Sequence, residues 1–167
     1  MTPLIAVIKQ RDVNGVRVLL SMKASPSISY RDKNDLVSPL EEAVWLGEEK
    51  IALLLLRNGA AKGKLWWYGA LHGAVQWKMF ALVRVLIEKG ASIDSVYGGI
   101  TPLCAALTCG KKRKGDVRMV RLLLKAKADL NKKTSTPRSF IETCKLTYLE
   151  IAKKYSNEKC VMLISKQ

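Results

Sequence analysis

Residues 38–60 read SPLEEAVWLGEEKIALLLLRNGA and carry the signals of two short helices joined by a tight turn. Ser38 is a good N-cap, and Pro39 suits the first helical position, where its missing N–H costs nothing. Apolar residues recur at i, i+3 and i+4 in the first half of the stretch. Gly47 can adopt the positive φ that ends the first helix, and Asn58-Gly59 can close the second. The stretch therefore predicts a helix-turn-helix unit.

The same internal spacing recurs along the chain. Its start points are Thr2, Ser38, Gly69, Thr101 and Thr147, which lie 36, 31, 32 and 46 residues apart. In the first three units an apolar residue follows the start after 14 residues and an alanine after 22, and the fourth unit contains five extra residues between its helices. A single helix pair cannot bury its apolar faces, so the repetition predicts copies stacked side by side.

The Thr-Pro-Leu-His-x-Ala pattern, the glycine between helices and the Gly-Ala ending resemble the ankyrin repeat, whose period is about 33 residues. The resemblance implies an all-α solenoid of stacked helix-turn-helix units with short hairpin loops. It implies one domain over residues 1–167, with repeats near 2–33, 34–64, 65–96, 97–131 and 143–167. Departures from the pattern are also visible. The inter-helix glycine is kept as Gly47 and Gly110, whereas other glycine positions hold basic residues, namely Arg11, Lys23, Lys78 and Lys127.

The first repeat has no hairpin ahead of it, so Leu4 and Ile8 are predicted to face solvent at an open end. Two explanations remain open at this point. Upstream repeats are missing from the sequence, or the edge packs on something, such as a second copy of the chain. The motif histidine is kept only as His72, for which the resemblance implies a structural hydrogen-bonding role.

Composition excludes several classes of protein. The apolar runs are too short to cross a bilayer, and no phosphate loop, nucleophile elbow or paired carboxylates point to an enzyme. The chain has one histidine and four cysteines, and no two of the cysteines have Cys-x-x-Cys spacing. This composition predicts neither a metal site nor a cofactor. Without a secretory signal, the cysteines favour reduced thiols and a location in the cytoplasm, the nucleus or both.

Aromatic residues are concentrated in the middle of the chain, where all four tryptophans lie between positions 45 and 77. The ankyrin resemblance implies that residues beside the hairpin tips and after the first helices line a concave face. Carried onto this chain, the face comprises Trp45, Leu46, Leu65, Trp66, Tyr68, Gln76, Trp77 and Tyr97. Aromatic clusters of this kind dominate the binding energy of protein interfaces. The chain is therefore predicted to bind a partner protein without catalysis, although part of the cluster, Trp67 above all, could instead pack the hairpins together.

Positive charge is concentrated at the other end of the chain. The net charge is +15, and residues 111–167 carry 16 basic and 5 acidic residues. The predicted basic patch consists of Lys111, Lys112, Arg113, Lys114, Arg118, Arg121 and Lys125. Its first four residues resemble a nuclear-import signal, but they could equally contact phosphates or form a solvated loop. The alternative function is therefore binding to nucleic acid or to an anionic membrane surface, and an acidic protein partner would reconcile both regions.

Residues 123–131 also match the pattern that is recognised by the asparaginyl hydroxylase of ankyrin repeats. The resemblance implies Asn131 as a candidate modification site, with a turn-bridging asparagine as the simpler interpretation. The sequence does not determine the partner or the oligomeric state.

Overall fold

A computed structural model describes residues 2–32, 35–60, 67–108, 115–132, 147–155 and 158–166. Within these ranges the chain forms ten helices and one two-stranded hairpin, so the predicted all-α repeat architecture is confirmed. The chain divides into two compact units, Met1–Leu86 and Ile87–Gln167.

The first unit is a row of helix pairs. Its elements are α1 (Pro3–Lys9), α2 (Val13–Ser21), β1 (Tyr30–Asp32), β2 (Asp35–Val37), α3 (Pro39–Trp45), α4 (Glu49–Arg57), α5 (Trp67–Gln76) and α6 (Phe80–Glu88), whose last residues belong to the second unit. Helix α3 packs between α1 and α5, while α2 packs against α4. First helices thus stack on first helices and second helices on second helices. Strands β1 and β2 pair antiparallel, with Tyr30 opposite Val37.

The second unit repeats the arrangement with two helix pairs. They are α7 (Pro102–Thr108), α8 (Val117–Lys125), α9 (Tyr148–Tyr155) and α10 (Glu158–Ser165). Helix α7 packs against α8 and α9, and α10 packs against α8 and α9.

Serine or threonine caps the first helix of four pairs, as the motif predicts. The Ser38 hydroxyl accepts the N–H of Glu41, and the Glu41 carboxylate accepts the N–H of Ser38 in return, which completes a capping box. The same reciprocal bonds join Thr147 and Glu150, and the Thr147 N–H and hydroxyl, which donate to the Glu150 carboxylate, lower the pKa of that carboxyl. The Thr2 and Thr101 hydroxyls also accept N–H groups three residues on.

The turn between paired helices places one residue in the left-handed region in each of the first four pairs. These residues are Arg11 (φ 58°), Gly47 (φ 82°), Lys78 (φ 58°) and Gly115 (φ 65°). In the fourth turn the N–H of Asp116 bonds to the carbonyl of Ala106 at 2.9 Å, as Glu48 bonds to Ala43 in the second. Gly115 thus has in the fourth turn the left-handed conformation that Gly47 has in the second. Gly110, which the sequence predicted at this turn, lies outside the described residues.

In four pairs, a residue with left-handed backbone conformation also lies just after the end of the second helix. These are Lys23 (φ 63°), Gly59 (φ 86°), Gly90 (φ 93°) and Lys127 (φ 65°). The basic residues at glycine positions thus keep the backbone conformation that the glycines adopt.

The predicted exposure of Leu4 and Ile8 is wrong, because both side chains are buried, at 3% and 0% exposure. Helix α1 packs against α2 and α3, and these contacts remove its apolar side from water. Exposed large apolar side chains of this repeat lie instead on and after α2, at Val18, Met22 and Ile28. His72 is buried in α5, as expected for a structural histidine.

Candidate functional site

Two tryptophans of the first unit lie at corresponding ends of neighbouring helices. Trp45 is the last residue of α3, and Trp77 directly follows α5. Their side chains are 41% and 56% exposed, whereas large apolar side chains elsewhere in α3 and α5, such as Leu40 and Leu71, are buried. The packing of these helices leaves both indoles accessible at the surface.

Each indole lies beside a glycine of the neighbouring repeat. A Cβ atom added at Gly47 would lie 3.8 Å from Cε3 of Trp77, and one added at Gly73 would lie 4.0 Å from Cδ2 of Trp45. Helices α3 and α5 approach closely because Gly73 lacks a side chain, since its Cβ would come within 2.5 Å of Val44 Cγ1. Both indoles therefore lie at the contact between the second and third repeats.

The tryptophan face is the part of the predicted site that the structure brings together, namely Trp45, Leu46, Gln76 and Trp77. Leu46 is half-buried and Gln76 is exposed. Leu65 and Trp66 lie outside the described residues, as does the side chain of Tyr68. Tyr97 belongs to the second unit, where it is 43% exposed and forms a bridge with Ile100.

Sequence reasoning missed a polar cluster that joins the first repeat to the second. The Lys9 ammonium lies 4.8 Å from the centroid of the Tyr30 ring, and the Tyr30 hydroxyl donates to the Glu42 carboxylate at 2.7 Å. Partial burial and the Glu42 carboxylate raise the pKa of the Tyr30 phenol. Lys9 lies seven residues after Thr2, as Trp45 lies seven residues after Ser38. The spacing of the repeats could therefore have identified Lys9 as the counterpart of Trp45.

The basic stripe of α8, formed by Arg118, Arg121 and Lys125, lies on its exposed side. The opposite side of α8 is buried through Met119 and Leu123. Spacing of i, i+3 and i+7 thus yields the surface that the sequence predicted. Lys111, Lys112, Arg113 and Lys114 lie outside the described residues.

Asn131 is an exposed residue at the end of a hydrogen-bonded turn. Its N–H donates to the Asp129 carboxylate at 2.8 Å, and the N–H of Asp129 donates to Asp94 at 2.9 Å. The Asp94 carboxylate thereby joins two successive tips of the second unit.

The described ranges contain no group of three or more metal-binding side chains. Nor does any helix in them have the length and apolar character needed to cross a membrane.

Comparison with known proteins agrees with this architecture. A family model described as "Ankyrin repeat" matches residues 98–135. A putative ankyrin repeat protein of Rickettsia felis is 34% identical over 104 residues, which cover 58% of this chain and 45% of that protein. A putative ankyrin repeat protein of fowlpox virus is 34% identical over 103 residues, which cover 62% of this chain and 17% of that protein. The chain thus spans less than half the length of either relative.

The capped helix pairs, their stacking within each unit and these matches together support an ankyrin-repeat architecture, and ankyrin repeats generally serve as protein–protein interaction modules.

Proposed function

We propose that this chain is a non-catalytic protein-binding module whose partner docks on the tryptophan face. The observation that carries the proposal is the pair of partly exposed indoles, Trp45 and Trp77, on adjacent repeats. Tryptophan is enriched among the few interface residues that supply most of the binding energy. A surface with two exposed tryptophans on one helix contact has the composition of such a centre.

The energetics of this face are sufficient for specific binding. If a partner covers roughly 100 Å² on each indole, burial contributes on the order of 5 kcal/mol at about 25 cal/mol per Å². The helices that hold the rings are capped and packed before binding, so little backbone entropy is lost on association. The net charge of +15 favours a partner that is acidic.

Site-directed photo-crosslinking tests where the partner binds. A photoreactive amino acid at Gln76, within the face, should capture the partner, whereas the same probe at Arg57, which is exposed at the end of α4, should not. Equal capture from both positions, or capture from Arg57 alone, overturns the proposed location.

The captured protein then allows a quantitative test. Trp77→Ala and Trp45→Ala should each weaken its binding about 30-fold or more, as expected for an interface hot spot of at least 2 kcal/mol. Met22→Ala serves as a control because Met22 is 72% exposed in the same unit but lies in the first repeat. Normal binding by both tryptophan variants excludes the tryptophan face as the docking site.

A second candidate function rests on a different observation. The basic stripe of α8 is exposed, and residues 111–167 hold most of the excess positive charge. This part of the chain has the charge expected of a surface that binds polyanions through their phosphates. Such binding weakens steeply with added salt, whereas binding to the tryptophan face does not, and a salt titration separates the two functions.

A further inference from the structure

The basic stripe of α8 has a counterpart on the neighbouring helix. A step of 41 residues relates Val120 of α8 to Val161 of α10, and the same step relates the exposed positions of the two helices. The pairs are Arg118 with Lys159, Arg121 with Met162, and Lys125 with Lys166, and all six side chains are exposed.

These six residues form one surface, here called the basic face. Helices α8 and α10 pack against each other, and both turn equivalent residues inward, Met119 with Cys160 and Leu123 with Ile164. Because the buried positions correspond, the exposed positions lie on the same side of the helix pair. The basic face therefore carries five cations around one apolar side chain.

We propose that the basic face docks on an anionic lipid membrane surface, a proposal that rests on the second candidate function above. Basic side chains near a membrane are attracted by anionic headgroups, and each strengthens binding about five-fold. The carboxylates of Asp116 and Glu158 lie only at one end, where each helix begins. Positive charge therefore dominates the face.

Met162 distinguishes a lipid surface from a nucleic acid. Its side chain is 53% exposed between Lys159 and Lys166, where an apolar group gains by entering the boundary between headgroups and acyl chains. Proteins that hold single-stranded nucleic acid stack bases on aromatic rings, and none of the six residues of the basic face is aromatic. One flexible apolar side chain surrounded by cations fits the membrane better.

Vesicle sedimentation of the full chain tests the proposal. The protein should bind vesicles of phosphatidylcholine with about 30% phosphatidylserine and should not bind phosphatidylcholine alone. Combining Arg121→Gln, Lys159→Gln and Lys166→Gln should weaken binding on the order of 100-fold, at about five-fold for each charge. Met162→Ser should weaken it several-fold at unchanged charge, and circular dichroism verifies that each variant is folded.

A matched control removes the same charge elsewhere. Three exposed cations of the first unit are neutralised together by Lys50→Gln, Arg57→Gln and Arg84→Gln. This variant should weaken binding to the vesicles by less than about five-fold. An equal loss in this control overturns the proposal, because attraction would then depend on total charge. Tighter binding to a 20-nucleotide single strand or duplex than to vesicles, unaffected by Met162→Ser, overturns the lipid assignment and leaves polyanion binding intact. Absence of binding to vesicles and nucleic acid alike overturns both.

Discussion

The hydroxyl oxygens of Thr101 and Tyr148 lie 2.7 Å apart in a buried contact between residues 47 positions apart in the chain. Thr101 also accepts the N–H of Cys104 and thereby caps α7. A single threonine hydroxyl thus caps the N-terminus of α7 and joins this helix to the first turn of α9. This contact links the two helix pairs of the second unit through a polar bond as well as through apolar packing.

Removal of the tyrosine hydroxyl should weaken this link. Tyr148→Phe is expected to lower the free energy of unfolding by about 1 kcal/mol, because a buried hydrogen bond is lost while the ring remains packed. Urea denaturation measures the change. Ser21→Ala is the control, since the Ser21 hydroxyl is exposed and donates to the Val18 carbonyl within its own helical turn. If both variants lose the same small amount, the bond between helix pairs contributes nothing specific.

Alkaline titration should reveal the same tyrosine. Burial raises the pKa of Tyr148 to about 12. Because the folded state holds the phenol proton more tightly than the unfolded state, this contribution to stability is complete below pH 10 and is lost as the pH rises toward 12. Absorbance at 295 nm should show one late-titrating phenol that is absent from Tyr148→Phe. A titration curve that is unchanged by this substitution contradicts the assignment.

The caps and turns could be predicted from sequence because they depend on neighbouring residues. Ser38 and Pro39 start a helix by local chemistry alone, and the repeat register assigned glycine positions to Arg11 and Lys78. The fourth turn shows the limit of this reasoning, because two glycines bracket the insertion and local chemistry does not choose between them. The structure places Gly115 in the left-handed region, directly before the Asp116 N–H that bonds to Ala106, whereas Gly110 lies outside the described residues.

Basic residues at left-handed positions should limit stability. A residue with a Cβ atom in the left-handed conformation costs roughly 1–2 kcal/mol. Replacing it with glycine removes this strain, but glycine also gives the unfolded chain more conformational entropy, which offsets part of the gain in stability. Lys23→Gly is therefore expected to raise the free energy of unfolding by about 0.5–1 kcal/mol in thermal or urea denaturation. The control is Lys50→Gly, within α4, which should lower it by about 1 kcal/mol. A decrease in the free energy of unfolding in Lys23→Gly would show that the left-handed conformation of Lys23 is not strained.

The close contact of α3 with α5 predicts a coupled pair of substitutions. Gly73→Ala should destabilise the fold by about 1–3 kcal/mol, because the new methyl group would lie 2.5 Å from Val44 Cγ1. Val44→Ala removes the clashing atom, so the double variant should be more stable than the sum of the two single effects predicts. A double-mutant cycle by urea denaturation measures the difference. Simple additivity contradicts a direct clash.

The candidate sites were predicted less completely than the helices. The ankyrin resemblance implied that Trp45 and Trp77 are surface residues, and helical spacing predicted the basic stripe, because periodicity determines which side of a helix faces its neighbour. It gave the wrong result for Leu4 and Ile8, since the packing of α1 on α3 depends on tertiary contacts. The counterpart stripe on α10 also needed the structure, because it follows from the packing of two helices rather than from one.

A carboxylate of one repeat caps a helix of the next. Met79, at the turn before α6, has no side-chain oxygen, and the Glu49 carboxylate of α4 instead accepts the N–H of Leu82 at 3.1 Å. Glu49→Ala should therefore lower the free energy of unfolding by about 1 kcal/mol, since the first turn of α6 loses a charged acceptor. Glu48→Ala is the matched control, because Glu48 forms a 3.5 Å surface ion pair with Arg11, and its removal should lower the free energy of unfolding by less than about 0.5 kcal/mol. Hydrogen exchange at the Leu82 amide provides a local measurement: it should accelerate in Glu49→Ala and not in Glu48→Ala, and equal protection in both variants would show that α6 does not depend on its neighbour for this cap.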